Sequence, residues 1–251
     1  MKFKHYTVYD DDDFFEKYIQ KRNQGNSPNE TVEQPIIDAL VGKVDGLKIM
    51  DLGCGDGRYG VQLLDRGAKH YFGIEGSIKM ARLAKEHLSG HNGAIRNEDI
   101  EQTEFLKSEY DIVISRLVLH YIEHLEILLN RIRESLIDDG EFIFSIEHPI
   151  ITSCYDSYHM KVKRGNWIVD NYFDSGERVN VWIGKHVVKY HRTLEEYWHL
   201  IHSSGFKVVE IRESKPQKNN FKNLEEYERR KRVPLFLMFK LKKEASRLKP
   251  N

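Results

Sequence analysis

Between Lys48 and Pro149 the chain alternates between two periods, and no other feature constrains its fold as tightly. Short apolar runs ("LKIMDLG", "HYFGIEG", "YDIVISR", "EFIFSIEHP" and the weaker "AIRNEDI") are separated by "RYGVQLLDRGA", "SIKMARLAKEHLSG" and "LEILLNRIRESLIDDG", where apolar residues recur every three or four positions. A short unbroken apolar run suits a strand buried on both faces, and the wider spacing suits a helix buried on one. Parallel strands need a crossover between them, so this alternation requires an α/β fold: a mostly parallel sheet with helices on both faces. Ser77 sits where it would cap one of these helices, and Gly90 where it would end it.

Outside this core the pattern breaks and then resumes. Ahead of it, "DFFEKYIQKR" spaces Phe14, Phe15, Tyr18 and Ile19 along one helical face, behind the acidic run Asp10 to Asp13. "NQGNSPNE" is rich in turn formers, and "TVEQPIIDALVG" predicts a second helix with Gly42 near its end. From residue 151 to 192 the sequence turns rich in Tyr, Trp, Gly and Asp, and "VNVWIGKHVVKYH" predicts a hairpin. "TLEEYWHLIHSSGF", "KVVEIRE" and "PLFLMFKLKK" then restore helix, strand and strand, with the charged "FKNLEEYERRKR" ahead of the last, which brings the strands of the sheet to seven. With 251 residues, 40% of them hydrophobic, one core is a more economical reading than two. The expected organisation is one domain over 1–251: a helical segment at 1–45, the alternating core at 46–150, the insertion at 151–192, and the rest of the sheet at 193–251.

Charge and cysteine content exclude several functions. The 39 basic and 39 acidic residues cancel, so no global field draws the chain toward nucleic acid or anionic lipid. No apolar run reaches bilayer length, and "MKFKHYTVYDDDD" lacks the apolar core of a signal peptide. Only Cys54 and Cys154 occur, which excludes a disulfide framework and a four-cysteine zinc site. These features point to a cytoplasmic protein with no membrane partner. No close pair of ligands at metal spacing stands out either, so no metal is expected.

The densest signal is "KIMDLGCGDGRYG", with four glycines in its last eight residues. Glycine lets a ligand approach the backbone closely, at a cost of about 0.5 to 1 kcal/mol each in regular structure. Gly55 to Gly60 satisfies G-x-G-x-x-G, and Glu75 lies near the distance of a ribose-binding acid, so an NAD site is one reading. Three details favour a different nucleoside cofactor. Asp51 ends the strand, and a carboxylate there repels phosphate but attracts an amino-bearing ligand. Asp99 and Ile100 in "NEDI" follow the third strand, where an acid can accept from an adenine amino group. "ISRLVLHYI" follows an uninterrupted strand that ends beside the same crevice.

Taken in order, "DLGCGDG", "GIEGS", "EDI", "YDIVISRLVLHYI" and "LIDDGEFIFSIEHP" resemble the successive motifs of class I S-adenosylmethionine-dependent methyltransferases, especially small bacterial enzymes of the ubiquinone/menaquinone-methyltransferase-like type. The resemblance is dense over residues 45 to 150 and extends thinly to "FFEKYIQKR", "KYHRT" and "FLMFKLKK". It implies a Rossmann-like doubly wound sheet of seven strands with the last antiparallel, N-terminal helices acting as a lid, and S-adenosyl-L-methionine as cofactor, leaving S-adenosyl-L-homocysteine. Position by position, it implies that Asp51 supports the loop and the methionine amino group, while Gly53, Cys54, Gly55 and Gly57 pass under the methionine moiety. Glu75 would hold the ribose hydroxyls, with Gly76, Ser77 and Met80 near the adenine. Asp99 and Ile100 would read the adenine edge, Ser115 and Arg116 would line the methionine end, and Tyr18 and Arg22 would belong to the lid, Arg22 as a clamp on the cofactor carboxylate. Each acid also has an ordinary reading: Asp51 as a helix cap, Glu75 as a strand-end acid, Asp99 as a loop acid. Cys54 is expected to fill the loop and not to act as a nucleophile.

Methyl transfer needs a positioned acceptor, and a base only where the acceptor must lose a proton. The candidates for that base are His120, His148 and His191, whose ordinary pKa suits it. His120 could equally pack on the next helix, and Thr193 beside His191 could simply cap one. The insertion, with Tyr155, Tyr158, Trp167, Tyr172, Phe173 and Trp182, would form the acceptor pocket, together with Tyr121, Tyr190 and Arg192. The leading expectation is therefore an O- or N-methyltransferase of a small molecule. The rivals are an RNA methyltransferase, kept open by the basic cluster Arg229 to Arg232 and the tail Lys240 to Lys249; an NAD-dependent oxidoreductase; and a cofactor-binding regulator with no acceptor. Neither the acceptor nor the oligomeric state is legible.

Overall fold

The computed structural model describes residues 2–25, 27–159 and 166–244. The side chain of Tyr158 and the basic tail beyond residue 244 lie outside the described part.

In chain order the elements are β1 (Lys2–Lys4), α1 (Asp12–Arg22), α2 (Gln34–Val41), β2 (Lys48–Leu52), α3 (Arg58–Asp65), β3 (His70–Glu75), α4 (Ile78–His87), β4 (Gly93–Asn97), β5 (Tyr110–Arg116), α5 (Leu125–Ser135), β6 (Leu136–Glu147), α6 (Pro149–Ser153), α7 (Asp156–His159), β7 (Gly176–Trp182), β8 (Lys185–His191), α8 (Leu194–Ser203), β9 (Phe206–Glu213), α9 (Leu224–Arg230) and β10 (Phe236–Lys243). Seven strands form one sheet in the order β4-β3-β2-β5-β6-β10-β9. Neighbours from β4 to β6 are parallel, and β10 runs antiparallel to both β6 and β9. This is the doubly wound sheet with an antiparallel last strand.

Both faces of the sheet are covered, and residue parity decides which core each side chain enters. Met50, Val113, Phe142 and Phe144 pack with Leu128, Leu129 and Ile132 of α5 and with Ile201 of α8. Ile49, Ile112, Ile114 and Ile143 pack with Ile37 and Leu40 of α2 and Leu63 of α3. The expected caps form: Ser77 Oγ accepts from the Met80 amide, and Thr193 makes a reciprocal capping box with Glu196.

A second, three-stranded sheet follows the order β1-β8-β7. β7 and β8 are the expected hairpin, turning through Ile183 and Gly184, both at positive φ. β1 adds to its edge in parallel, Phe3 opposite Val187. The N-terminal segment is thus not helical throughout: a three-residue strand has no periodicity of its own, and it exists because the hairpin edge is there to pair with. Tyr9, Phe14 and Tyr18 pack on Trp182 at ring distances of 5.1–5.9 Å, which ties α1 to the hairpin.

Candidate active site

The order of the sheet reverses between β2 and β5, and beyond the carboxyl ends of such strands the loops part to leave a crevice. Asp51 near the end of β2, Glu75 ending β3, Ile100 beyond β4, Arg116 ending β5 and Glu147 ending β6 all line one cavity of about 840 Å³ there. The second sheet and α1 roof it, with Tyr6, Tyr9, Tyr18, Trp182 and Lys189 among the lining residues.

One end of the cavity is acidic. Glu75 is buried, and its two carboxylate oxygens accept the amides of Gly55 and Ser77, each at 2.9 Å. Burial pushes its carboxyl up to about 7, although those two amides pull the other way. Asp51 is raised by burial to about 6; one of its oxygens accepts the Tyr71 hydroxyl at 2.7 Å, and the other has no partner among the described residues. A buried, unpaired carboxylate oxygen is costly unless a donor arrives to meet it. Tyr6 lies over Gly76, where an added Cβ would fall 2.2 Å from the ring. Asp10, just ahead of α1, accepts the Ser77 hydroxyl at 2.7 Å.

The four glycines of the loop divide between two tasks. Gly53 and Gly55 line the cavity, and a Cβ on Gly53 would lie 2.4 Å from Val118. Gly57 and Gly60 do not line it. A Cβ on Gly57 would meet Ala84 of α4 at 3.0 Å, and one on Gly60 would meet the Tyr71 ring at 2.4 Å. Gly57 lets the start of α3 close onto α4, and Gly60 lets α3 close onto β3 so that Tyr71 reaches Asp51. The G-x-G-x-x-G match is therefore partly a packing signature.

Arg22 lines the cavity but is engaged by the loop: its guanidinium donates to both oxygens of fully buried Asp56, at 2.8 and 3.1 Å. The pair latches α1 onto the glycine loop. Arg116 is held by Glu33 and stacks 4.3 Å over Tyr59, while Ser145 donates to the same Glu33 carboxylate.

The other end of the cavity is aromatic and holds a buried ion pair. Lys189 Nζ reaches Glu147 Oε1 at 2.5 Å, and the Tyr155 hydroxyl donates to Glu147 Oε2 at 2.8 Å. Burial alone would raise the Glu147 carboxyl, but Lys189, His120 and the Tyr155 hydrogen bond outweigh it and hold the group below its ordinary range. The rings of Tyr121, Tyr155 and Trp182 surround the Lys189 ammonium at 5.3–5.9 Å. His120 lines the cavity, its Nδ1 accepting the Glu147 amide; burial pushes its pKa down to about 3. With Nδ1 so committed, the neutral ring carries its proton on Nε2.

The structure gathers most of the expected site residues and separates others. Tyr18, Arg22, Asp51, Gly53, Cys54, Gly55, Glu75, Gly76, Met80, Ile100, Arg116, His120 and Tyr121 line the cavity. Cys54 is buried, and burial raises its thiol, so it stays protonated as loop filler. Ser77 and Ser115 are buried beside the cavity, Ser77 as a helix cap and Ser115 donating to the Leu52 carbonyl. Asp99 accepts the Glu101 amide in its own loop and does not line the cavity. His148 caps α6 and faces Glu213; His191 sits between Thr152 and the Tyr172 carbonyl. Trp167, Tyr172, Tyr190 and Arg192 also lie away from the lining, Tyr190 donating to Glu123 and Arg192 to the carbonyls of Ile122 and Glu123.

The lining groups that the sequence analysis does not anticipate include Glu147, Lys189, Asn180 and Tyr6. Strand alternation points to the first: Ser145 and Glu147 share one face of β6, so Glu147 and not its neighbour His148 turns inward. On β8 alternation puts Val187, Lys189 and His191 on one face, and only the tertiary structure separates Lys189, which lines the cavity, from His191, which meets Thr152. Tyr6 sits in a short 3-10 helix, His5–Asp10, too brief to leave a periodic signal.

Comparison with known proteins agrees with this geometry. Residues 50–144 match the family model described as a methyltransferase domain. An uncharacterized protein of Haemophilus influenzae is 32% identical over 234 residues, covering 87% of this chain and 92% of that protein. Two solved structures described as S-adenosylmethionine-dependent methyltransferases superpose closely. The one from Listeria monocytogenes has a TM-score of 0.78 and 28% identity, covering 85% of this chain and 97% of its own. The one from Mesorhizobium loti has a TM-score of 0.77 and 27% identity, covering 86% and 98%. The chain belongs to the class I S-adenosylmethionine-dependent methyltransferases. S-adenosylmethionine is its cofactor, and the cavity fits it: the orphaned Asp51 oxygen suits a positively charged amino group, and the loop is open where Gly53 and Gly55 carry no side chain.

Proposed function

We propose that the protein transfers a methyl group to an oxygen or nitrogen atom of a small molecule held beneath the β7–β8 hairpin. The observation that carries this reading is the two-ended cavity, in which one roofed space joins the acidic end at Asp51 and Glu75 to the aromatic end at Tyr121, Trp182 and Lys189.

Bound S-adenosylmethionine supplies a methyl carbon made electrophilic by its sulfonium. Asp51 accepts from the amino group of the methionine moiety, Glu75 from the ribose hydroxyls, and Ile100 packs beside the adenine. The lid of β1 and α1, latched through Arg22–Asp56 and Ser77–Asp10, excludes water and fixes the acceptor against the cofactor end. Orientation of this kind can supply on the order of 7 to 11 kcal/mol of a barrier. No proton transfer by His148 or His191 enters this account, since both are engaged away from the cavity.

A small acceptor is favoured over nucleic acid by the state of the basic cluster. Arg229 and Arg230 share Glu226, and Lys231 pairs with Glu228, which offsets part of the positive field that phosphate would need. The test is transfer of label from methyl-tritiated S-adenosylmethionine into fractionated metabolite extract and, separately, into total RNA. Label in a low-molecular-weight fraction supports the proposal; label in RNA alone, retained in a salt-dependent manner, refutes it.

A further inference from the structure

The hairpin turns one face toward the cavity, and that face describes what can sit under it. Asn180 and Trp182 on β7 lie opposite Val187 and Lys185 on β8, which places Asn180, Trp182 and Lys189 on a common face. Asn180 is 4% exposed and lines the cavity, yet its side-chain oxygen has no hydrogen-bond partner among the described residues. An amide oxygen buried without a donor is destabilising, a deficit that a ligand donor removes.

Lys189 and Glu147 restrict the charge of that ligand. Lys189 is 3% exposed, and its ammonium is matched by Glu147, whose second oxygen is already taken by Tyr155. The pair closes to zero, so an anion entering beside it meets Glu147 and a cation meets Lys189 with no compensating partner. What remains open is ring surface: Tyr9, Tyr18, Tyr121 and Trp182 line the same end.

We infer that the acceptor is an uncharged, flat molecule that presents an O–H or N–H group to the Asn180 side-chain oxygen, and that the Glu147–Lys189 pair excludes charged analogues. Only the word "acceptor" rests on the methyltransferase reading; the binding preference stands on the cavity itself.

Phenol, anisole and benzoate test this, because they share a ring and differ in carrying a donor, no donor or a charge. Each is titrated by calorimetry into protein saturated with S-adenosylhomocysteine, and again without it. Phenol should bind at least 10-fold more tightly than anisole or benzoate. Asn180→Leu should bring phenol to within about 3-fold of anisole, with an unchanged melting transition as the check on folding. Glu147→Gln leaves Lys189 unmatched and should reverse the order of phenol and benzoate. Anisole or benzoate equalling phenol in the parent protein, no binding by any of the three, or an unchanged phenol-to-anisole ratio in Asn180→Leu overturns the inference. Failure of S-adenosylhomocysteine to bind while phenol retains its preference would instead sink the methyltransferase reading and leave the inference standing.

Discussion

Glu75→Gln should make the protein less sensitive to pH and nearly unable to hold its cofactor. In the folded chain Glu75 titrates near 7, against an ordinary value of 4.5, chiefly because burial disfavours its charge. The folded state therefore binds this proton more tightly than the unfolded chain does. The stabilisation is complete below pH 4.5 and is lost as pH rises through 7. At about 1.4 kcal/mol per pH unit, Glu75 accounts for a fall of roughly 2–3 kcal/mol in unfolding free energy between pH 5 and 8. Asp51, raised to about 6 from 3.8, adds a further fall of roughly 1–2 kcal/mol that both proteins share. Urea titrations of the cofactor-free protein at half-unit pH steps should therefore show the parent losing stability over this range and Glu75→Gln losing about half as much or less. In the proposed site the same carboxylate would have to be ionised to accept both ribose hydroxyls, so S-adenosylhomocysteine affinity of the parent should rise from pH 6 to 8. At pH 8 the variant gives up two hydrogen bonds to a charged group, about 1.5–3 kcal/mol each, and should bind at least 100-fold more weakly. A parent whose stability is flat or rises from pH 5 to 8 relative to the variant refutes the linkage argument. Calorimetric binding within 3-fold of the parent refutes the assigned role.

Tyr71→Phe removes the donor at 2.7 Å from Asp51, so the Asp51 carboxyl should titrate at higher pH and the pH at which cofactor affinity is half-maximal should move up; no movement would show that this hydrogen bond does not tune Asp51. Gly60→Ala puts a methyl group 2.4 Å from the Tyr71 ring, and despite the better helix propensity of alanine the variant should lose about 1–3 kcal/mol, measured by urea melts; equal or greater stability would mean that the ring shifts freely. Arg22→Ala unlatches α1 from buried Asp56, and stopped-flow dissociation of S-adenosylhomocysteine should quicken several-fold; an unchanged off-rate would show that the latch does not gate release. Gly53→Ala collides with Val118 at 2.4 Å within the loop and should abolish cofactor binding in calorimetry while the far-UV spectrum is retained; parent-like affinity would show that the loop tolerates a side chain there.

Much of the fold was legible because its elements carry their own periods. The seven strands of the main sheet, the helices between them, and the caps at Ser77 and Thr193 each follow from residues within a few positions of one another. The acidic end of the cavity was legible for the same reason: Asp51 lies next to the end of β2 and Glu75 ends β3, and every strand of a parallel sheet ends on the same edge. The family resemblance rested on this local order of motifs, and the match over residues 50–144 falls on the same stretch.

What the sequence by itself determined, then, is a doubly wound sheet and an acidic site for an amino-bearing nucleoside at its carboxyl edge. Tertiary structure alone decided what closes over that edge. The strand β1 exists only because the hairpin offers an edge, and the latch of Arg22 on Asp56 joins residues 34 apart. Gly57 and Gly60 look like ligand glycines in one dimension and prove to be packing glycines once α4 and Tyr71 are beside them. Glu147 meets Lys189 across 42 residues, and that pair balances the charge at the aromatic end of the cavity. Local periodicity fixes which side of a strand a residue faces; which distant side chain stands there to balance its charge is a property of the assembled core.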